Sequence, residues 1–455
     1  MSVAIAWEVG STQRDPACQS APRERSAATA RRAAATHRLR RCGWLSSLVV
    51  AGLCGLSAIP ALARSGECGG GHKCRCGDSV VASYTLTEDL GPCRERGLRV
   101  RNAVVLDGGG HLIRGSGLPG SFGVQVDAKG SGARIVDLGV TGFERGFRLV
   151  KAERVRLEGI AAHDNGDRKT RVGYGIDLAG GSSRNVLERV QVFRNADEGI
   201  HVGSAAHENQ IVDSEVYDNS RENVYFLRNH GNVLARSRLS GSGSAAVYIK
   251  HAARTVLEGN RIEGAVVHLR GTSHDTSLID NVLVDGGIVL QRYKDKDPHI
   301  GLAAPSATLV RGGRIASKSA CVRVEGATAT TLEKVELACP QQVSLDGDGT
   351  VTAVATKVAS VRCAAGTGRL ERARHVDFRL LDAAGKPVAG GELRLGERHE
   401  AIGMTNAQGI YSGLVVESVV RCPGGKEEAT PEVIVGGAGR TRRVPLAELR
   451  GDVRL

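Results

Sequence analysis

Four short segments decide the expected fold, because they repeat one pattern at an almost constant spacing. They are Gly175-Ile176-Asp177-Leu178, Gly199-Ile200-His201-Val202, Asn223-Val224-Tyr225-Phe226 and Ala246-Val247-Tyr248-Ile249, which begin 24, 24 and 23 residues apart. Each alternates an apolar, a variable and an apolar side chain after its first residue, which is the pattern of a β-strand with one buried face. Two more short apolar segments follow in each unit, such as Val186-Leu187 and then Val190 with Val192.

Three short strands in about 23 residues form one coil of a parallel β-helix. No single coil can bury its apolar face, so the coils must stack. Less regular coils extend the pattern from Val104-Val105-Leu106 to Val343-Ser344-Leu345. The 60 glycines and only 3% aromatic residues suit many tight turns better than a helical bundle. We therefore predict an all-β protein, a right-handed parallel β-helix of about ten coils followed by a small β-sandwich.

Polar residues also repeat in register, at two of the corners between strands. Equivalent positions hold Asn185, Asn209, Asn232, Thr255 and Thr276, and a second set holds Ser214, Ser237, Asn260 and Asn281. Stacked amide and hydroxyl side chains can hydrogen-bond along the helix axis where the backbone turns. We predict that both sets form structural ladders.

The N-terminal region has the features of an export signal. A basic stretch, Arg38-Leu39-Arg40-Arg41, precedes the apolar run from Trp44 to Ala61, and Ala61-Leu62-Ala63 is a small-x-small cleavage pattern. We expect residues 1–63 to be an extension and signal peptide cleaved near Ala63-Arg64, which leaves a secreted or periplasmic protein without an integral membrane span. The alternative is an uncleaved anchor, which the short, Gly- and Pro-broken apolar run disfavours.

Charge and cysteine content fit export. The whole chain carries +12, and removing residues 1–63, with their eight Arg and three acidic residues, leaves about +7. A basic surface favours anionic partners, although it also serves solubility. Eight cysteines remain, and an even number in an exported protein indicates disulfides. We expect Cys76–Cys93 and Cys321–Cys339 as two of the pairs.

The opening of the repeat region resembles a known group. The segments Cys76-Gly77-Asp78-Ser79-Val80, Leu86-Thr87-Glu88-Asp89-Leu90 and Leu106-Asp107-Gly108-Gly109-Gly110-His111 are similar to the start of exported bacterial β-helix-repeat proteins of the pectate-lyase-like superfamily. The resemblance covers about residues 68–363. It implies the β-helix but no single activity, because that group includes lyases, epimerases, hydrolases, adhesins and copper-accessory proteins.

From about residue 372 the repeat is lost, and a second domain is expected. The turn segments Gly385-Lys386-Pro387-Val388 and Thr405-Asn406-Ala407-Gln408-Gly409 resemble those of carboxypeptidase-regulatory-like β-sandwich modules. Such modules usually serve attachment or spacing. The predicted organisation is therefore residues 1–63 as extension and signal peptide, 64–371 as β-helix and 372–455 as β-sandwich.

The outward positions of the first strand in each coil carry the chemistry. Residues between the two apolar positions give one column, and residues two places later give a second column. Because coils lie about 4.8 Å apart, these side chains should form one patch suited to an anionic sugar chain. The patch comprises Arg148, Asp177, His201, Tyr225, Tyr248 and His268, then Lys250, Arg270 and Gln291, with Arg228, His251 and Arg292 beside them.

Lys250 and Arg270 stand on adjacent coils in a context similar to the alginate-lyase and chondroitinase-B family of polysaccharide lyases. That resemblance implies Lys250 as the base for the C5 proton of a uronate and Arg270 as the acid, with Ca²⁺ neutralising the carboxylate. The acidic Ca²⁺ ligands expected before the Lys are absent, since Gly243-Ser244-Ala245-Ala246 stands there and Glu222 is the only close carboxylate. Ca²⁺ is therefore doubtful, and no metal ligands are predicted.

Two further motifs bear on catalysis. Asp297-Pro298-His299 is similar to the Asp-Pro-His of alginate C5-epimerases but lies in an insertion, where a turn is the simpler interpretation. Asp177 and His201, on neighbouring coils, make a candidate acid–base pair.

These observations predict a protein that binds or cleaves an acidic polysaccharide, by lyase- or epimerase-type chemistry if it is an enzyme. The predicted catalytic residues are Lys250, Arg270, His201 and Asp177, and the predicted binding residues are Tyr225, Tyr248, His268, Arg228 and Arg292. The competing hypothesis is a non-catalytic, adhesin-like envelope protein. Nucleic acid is not an expected partner, and the sequence does not indicate an oligomeric state.

Overall fold

A computed structural model describes residues 66–455, except 297, 299, 396–399, 431 and 438. The predicted signal peptide and its cleavage site therefore lie outside the described residues. So do Asp297 and His299 of the epimerase-like motif.

Three long sheets, in which the coils pair in parallel, form the body of the protein, and each complete coil contributes one strand to each sheet. The first sheet has 14 strands and carries the patch described above. Its strands are Glu67–Cys68, Ser79–Val80, Arg96–Val100, Phe122–Asp127, Arg145–Val150, Tyr174–Ala179, Ile200–Val202, Val224–Leu227, Ala245–Lys250, Val266–Arg270, Ile288–Gln291, Ala320–Glu325, Gln341–Asp346 and Val361–Ala365.

The second and third sheets complete each coil in chain order. The second comprises Tyr84–Thr85, Val105–Asp107, Arg134–Val136, Arg156–Glu158, Val186–Glu188, Gln210–Val212, Val233–Ala235, Val256–Glu258, Ser277–Ile279, Ser306–Arg311, Thr328–Glu333, Thr350–Val354 and Arg369–Leu381. The third comprises Leu90–Cys93, Leu112–Gly115, Gly139–Thr141, Ala161–His163, Gln191–Phe193, Glu215–Tyr217, Arg238–Ser240, Arg261–Glu263, Val282–Val284, Arg314–Ala316 and Glu336–Ala338. Two short 3₁₀ turns, Ala128–Gly130 and Leu446–Glu448, complete the regular structure.

The predicted β-helix is confirmed. It has about 13 turns, more than the ten that the sequence predicted. The inward residues of the repeat, such as Ile176, Leu178 and Phe226, are fully buried in one continuous core. Steric crowding explains the small residue that begins several of the first-sheet segments. A Cβ atom on Gly199 would lie 2.6 Å from the side-chain Nδ2 of Asn219 and 2.7 Å from the backbone carbonyl oxygen of Asn223.

Amide ladders run along the corners, as predicted, but the prediction was wrong for Thr255 and Thr276, whose hydroxyl groups are buried without a hydrogen-bond partner. The Asn185 side chain donates to Oδ1 of Asn209 at 2.9 Å, and Asn209 donates to Oδ1 of Asn232 at 3.1 Å. Asn260 and Asn281 continue the second ladder at 2.9 Å. A third ladder, which the sequence analysis missed, links Asn165, Asn195 and Asn219 at 3.0 Å per step.

One long strand, Arg369–Leu381, joins the β-helix to the C-terminal strands. It pairs in parallel with the last coil on one edge and antiparallel with Ile410–Arg421 on the other. The boundary expected between residues 371 and 372 therefore falls within this strand. Ile410–Arg421 pairs in turn with Lys426–Ala429, and Gly451–Arg454 pairs in parallel with Arg369–Leu381. A four-stranded sheet lies beside them, in the order Glu400–Met404, Glu392–Leu395, Glu432–Gly437 and Arg440–Pro445. A separate apolar core, including Phe378, Leu393 and Val433, packs in this region.

All eight described cysteines form disulfides. The predicted pairs Cys76–Cys93 and Cys321–Cys339 are confirmed, and Cys68–Cys74 and Cys363–Cys422 complete the set. The last of these ties the final coil to the C-terminal strands. Among the described residues, the structure contains no helix with the length and apolar character needed to cross a membrane.

Candidate functional site

The register of the first sheet aligns the predicted patch into one column. Pairing partners on successive coils follow the order Gln125, Arg148, Asp177, His201, Tyr225, Tyr248 and His268. Lys250 and Arg270 are likewise direct neighbours in the second column. The alternation of the strands turns all of these side chains away from the apolar core, because neighbouring residues of a strand point to opposite faces.

His201 and Asp177 form a close pair across two coils. The Nδ1 atom of His201 lies 3.0 Å from Oδ1 of Asp177, and their side chains are only 17% and 6% exposed. The other ring nitrogen of His201, Nε2, has no hydrogen-bond partner among the described residues, which leaves it available to a ligand. The absence of a side chain at Gly203 avoids a close contact with the His201 ring, because a Cβ atom there would lie 3.2 Å from Cε1 of His201.

Two arginines hold Asp177 in place. Nε of Arg145 and Nε of Arg148 lie 3.3 and 3.6 Å from Oδ2 of Asp177, on the side opposite the histidine contact. Burial acts to lower the pKa of His201, but the hydrogen bond and charge of Asp177 outweigh it and raise that pKa above its usual value. The pair therefore has the geometry of an oriented acid–base histidine.

A buried acidic cluster lies beside this pair, and the sequence analysis did not identify it. Arg221 Nη1 lies 3.1 Å from Asp197 Oδ1 and 3.2 Å from Glu198 Oε1, and its Nε lies 3.4 Å from Glu222 Oε2. Burial, together with the charge of Asp197, raises the pKa of Glu198 to about 8. Glu198 Oε2 is buried without a hydrogen-bond partner. A signal for the cluster exists in the chain, because Asp197-Glu198 and Arg221-Glu222 occupy the same offset before successive strands.

The aromatic residues of the column, with Tyr174 beside them, lie ring against ring: Tyr225 and Tyr248 are stacked, whereas Tyr248 and His268 are tilted by 43°. Ring centroids are 4.9 Å apart for Tyr174 and His201, 5.0 Å for Tyr225 and Tyr248, and 4.9 Å for Tyr248 and His268. Tyr225 and Tyr248 are each 9% exposed. Their faces lie against neighbouring rings, so a sugar would meet their edges and hydroxyl groups.

Lys250 and Arg270 share a ring that the sequence analysis did not connect to them. Lys250 Nζ lies 4.3 Å, and Arg270 Cζ 4.2 Å, from the ring centroid of Tyr293. Arg270 Nη1 also donates to the Tyr248 hydroxyl at 3.2 Å. The face of an aromatic ring stabilises the charged form of a nearby side chain. Lys250 and Arg270 are therefore suited to binding an anion.

Tyr293 belongs to a short hairpin, Tyr293–Lys294 with Leu302–Ala303, that the next coil inserts above this face. The backbone N–H of Thr272 donates to Nδ1 of His251 at 3.1 Å, so the proton of the neutral ring is on Nε2, which donates to Asp295 Oδ2 at 2.7 Å. Arg228 Nη2 lies 3.6 Å from the same carboxylate.

The remaining predicted residues are placed as follows. His268 Nε2 lies 3.1 Å from Gln291 Oε1, and burial together with the charge of Arg270 lowers the pKa of His268 to about 4. That histidine is therefore neutral near pH 7. Arg292 is directed away from the column, toward Asp348, with Nη2 3.4 Å from Oδ2.

The described residues do not form a metal centre. No group of three or more His, Cys, Asp or Glu side chains within them is arranged to hold an ion. Glu222, the carboxylate nearest Lys250 in the sequence argument, accepts from Ser244 Oγ at 2.9 Å and faces Arg221. The described cysteines, which a soft metal such as copper would favour, are all in disulfides.

Residues 102–296, less than half of the chain, match the family model described as NosD, periplasmic copper-binding protein. The site residues just described do not fit a copper centre, so no chemistry is derived from copper. No curated protein matches the sequence.

Several solved structures are similar to this chain at low identity. The periplasmic alginate epimerase AlgG is 18% identical, with a TM-score of 0.43 over 53% of this chain. The A-module of the mannuronan C-5 epimerase AlgE4 from Azotobacter vinelandii is 16% identical, with a TM-score of 0.35 over 63% of this chain and 82% of its own. DFA-IIIase from Arthrobacter chlorophenolicus A6 is 13% identical, with a TM-score of 0.37 over 59% of this chain and 66% of its own. The chain spans 62% of the length of AlgG.

Proposed function

We propose that this protein is exported and acts on an acidic polysaccharide by removing the C5 proton of a uronate unit. The observation that carries the proposal is the 3.0 Å contact between His201 Nδ1 and Asp177 Oδ1, at the centre of a column of polar side chains on the first sheet. Export is supported by four disulfides and by the match to a periplasmic family model.

His201 is the base in this scheme, and Asp177 is the residue that orients it. The C5–H bond breaks, its proton moves to Nε2 of His201, and the electron pair is delocalised into the adjacent carboxylate. Delivery of a solvent proton to the opposite face of C5 gives the C5 epimer, and His201 returns its proton to solvent. Cleavage of the C4–O bond, in which the departing oxygen takes the proton from Nε2 of His201, gives an unsaturated sugar and a shortened chain. Asp177 stabilises the imidazolium formed in the first step.

Cations around the column are placed to bind the carboxylates of the polymer. Arg148 lies two coils before His201, Lys250 lies on the same strand as Tyr248, and Arg270 lies on the next coil. The sequence-based expectation made Lys250 the base. In this proposal Lys250 instead binds an anion. Its position over Tyr293 supports this role, because cation–π contact favours the charged ammonium.

Solvent deuterium incorporation tests the proposal for both chemistries. The protein is incubated in D₂O with polymannuronate, pectate or chondroitin, and NMR measures deuterium at C5 while ultraviolet absorbance measures the unsaturated product. We expect His201→Gln to lower the rate about 10²- to 10⁴-fold. The matched control is His274→Gln, which alters a second histidine–carboxylate pair (2.8 Å to Asp275) away from the column.

The absence of both products from the wild-type protein on every polymer would overturn the catalytic proposal. Binding without turnover would instead favour the non-catalytic envelope protein. Equal rates for folded His201→Gln and wild-type protein would remove His201 as the base.

A further inference from the structure

A pocket of about 510 Å³ opens near the N-terminal end of the first sheet and shares only Arg148 with the residues that the proposed function uses. Its lining contains three arginines, Arg96, Arg99 and Arg148, and one acidic residue, Glu95. Gln125 and Phe122 also line it, together with the turn at 118–120. The turn is held in place by the backbone N–H of Gly120, which donates to Glu144 Oε2 at 2.6 Å.

The pocket is continuous with the catalytic column. Arg99 pairs with Gln125, Gln125 with Arg148, Arg148 with Asp177, and Asp177 with His201. Arg99 is therefore four coils from His201, about 19 Å at ~4.8 Å per coil. An extended polysaccharide lying along the sheet would reach from one to the other over several sugar units.

The pocket holds positive charge that nearby carboxylates only partly neutralise: Glu95 is its one acidic lining residue, Arg148 pairs with Asp177, and the charge of Asp127 acts on Arg99. Arg96 and Arg99 form no ion pair with any described residue, and Arg99 Nε is buried without a hydrogen-bond partner. Burial and the charges of Arg101 and Arg96 lower the pKa of Arg99. An arrangement of like charges with an unsatisfied buried donor is unfavourable until an anion enters, so the pocket is organised for an anionic ligand.

We propose that this pocket binds one anionic sugar unit, carrying a carboxylate or a sulfate ester, of the same polymer whose uronate lies at His201. The inference rests on the proposed function for the identity of the polymer. The guanidinium groups of Arg96 and Arg99 offer paired donors that match the oxygens of either anion. Gln125 supplies a donor and an acceptor for hydroxyl groups, and Phe122 supplies an apolar wall. The volume suits a sugar unit better than a bare ion.

Chain-length dependence of binding tests this subsite without any turnover. Calorimetry compares wild-type and R96Q/R99Q proteins with a uronate disaccharide, with a long oligouronate, and with a sulfated oligosaccharide of equal length. We expect R96Q/R99Q to weaken binding of the long oligomer about tenfold or more, and binding of the disaccharide at His201 much less. The carboxylated and sulfated arms identify which anion the pocket prefers.

Two variants keep the test interpretable. Arg96 is exposed, so R96Q alone should fold even where the double variant does not, and it should still weaken binding of the long oligomer. The matched control is R238Q, an exposed arginine on the third sheet, which should bind as the wild type does.

The outcomes separate this inference from the proposed function. Arginine-dependent binding of long oligomers without turnover would support the subsite while the catalytic proposal fails. Turnover at His201 with unchanged affinity of folded R96Q and R96Q/R99Q for every oligomer would overturn the subsite alone.

Discussion

Nδ1 of His201 lies 3.0 Å from Oδ1 of Asp177, although 24 residues separate them in the chain. The separation is one coil, so the sheet register places the two side chains directly beside each other. The contact uses the ring nitrogen that faces the neighbouring coil and leaves Nε2 without a partner among the described residues. The arrangement therefore supplies an oriented histidine on an outer face of the β-helix, without any loop to position it.

Replacing Asp177 with Asn should lower the pKa of His201. The carboxylate supplies the hydrogen bond and charge that raise this pKa, and without them burial favours the neutral ring. We expect the pKa of His201 to fall, and NMR of the imidazole protons between pH 5 and 9 measures the change. Asp275→Asn is the control and should leave the His201 titration unchanged. An unaltered titration in folded Asp177→Asn protein would contradict the assigned contact.

Glu198→Gln should make the stability less dependent on pH. The folded protein keeps the Glu198 proton up to about pH 8, whereas an unfolded chain loses it above about pH 4.3. Between these values the folded state binds more protons, so the free energy of unfolding falls as pH rises. The amide side chain cannot ionise, so in the Glu198→Gln variant the free energy of unfolding should no longer fall for this reason.

The size of this effect should be on the order of a few kcal/mol between pH 5 and 8, measured by urea denaturation. Glu215→Gln, at an exposed position of the third sheet, is the control and should keep the wild-type slope. A slope in Glu198→Gln equal to that of the wild type would show that Glu198 is ionised in the fold.

Asn209→Ala should strongly destabilise the β-helix. Its side chain accepts from the backbone and side chain of Asn185 and donates to Ser182 O and Asn232 Oδ1, all at 2.9–3.1 Å. Removing it deprives buried groups at the two neighbouring corners of a partner, which should cost about 2–4 kcal/mol. Gln210→Ala, one residue later and exposed, should change the unfolding free energy by less than about 0.5 kcal/mol. Similar losses in the two variants would argue against the ladder as a source of stability.

Removing the Cys363–Cys422 disulfide should cost more than removing Cys68–Cys74. The first closes a loop with a sequence separation of 59 residues and the second one of 6. In the chain-entropy model these loops contribute about 4 and about 2 kcal/mol, because a longer loop restricts the unfolded chain more. Double Ser variants of each pair, compared by denaturation without reductant, check the order. A reversed order would mean that native packing at the ends outweighs loop entropy.

Most of the fold was accessible from the sequence because a β-helix repeats. The alternation in segments such as Ile176-Asp177-Leu178 specifies the buried face, and the near-constant spacing specifies which residues stack. The same reasoning predicted the Asn185 ladder and the neighbouring positions of Lys250 and Arg270. It missed the Asn165 ladder and the cluster around Glu198, since neither lies on the alternating positions that were followed.

The sequence by itself therefore determined the coil, its inward and outward faces, and the column that contains Asp177 and His201. The tertiary structure decided what those outward side chains do. It packed the tyrosine faces against each other, placed Tyr293 over Lys250 and Arg270, and surrounded Arg221 with buried carboxylates. The physical reason is that alternation and repeat length follow from the local geometry of strands, whereas charge burial and ring contacts depend on the paths of turns and insertions that carry no period.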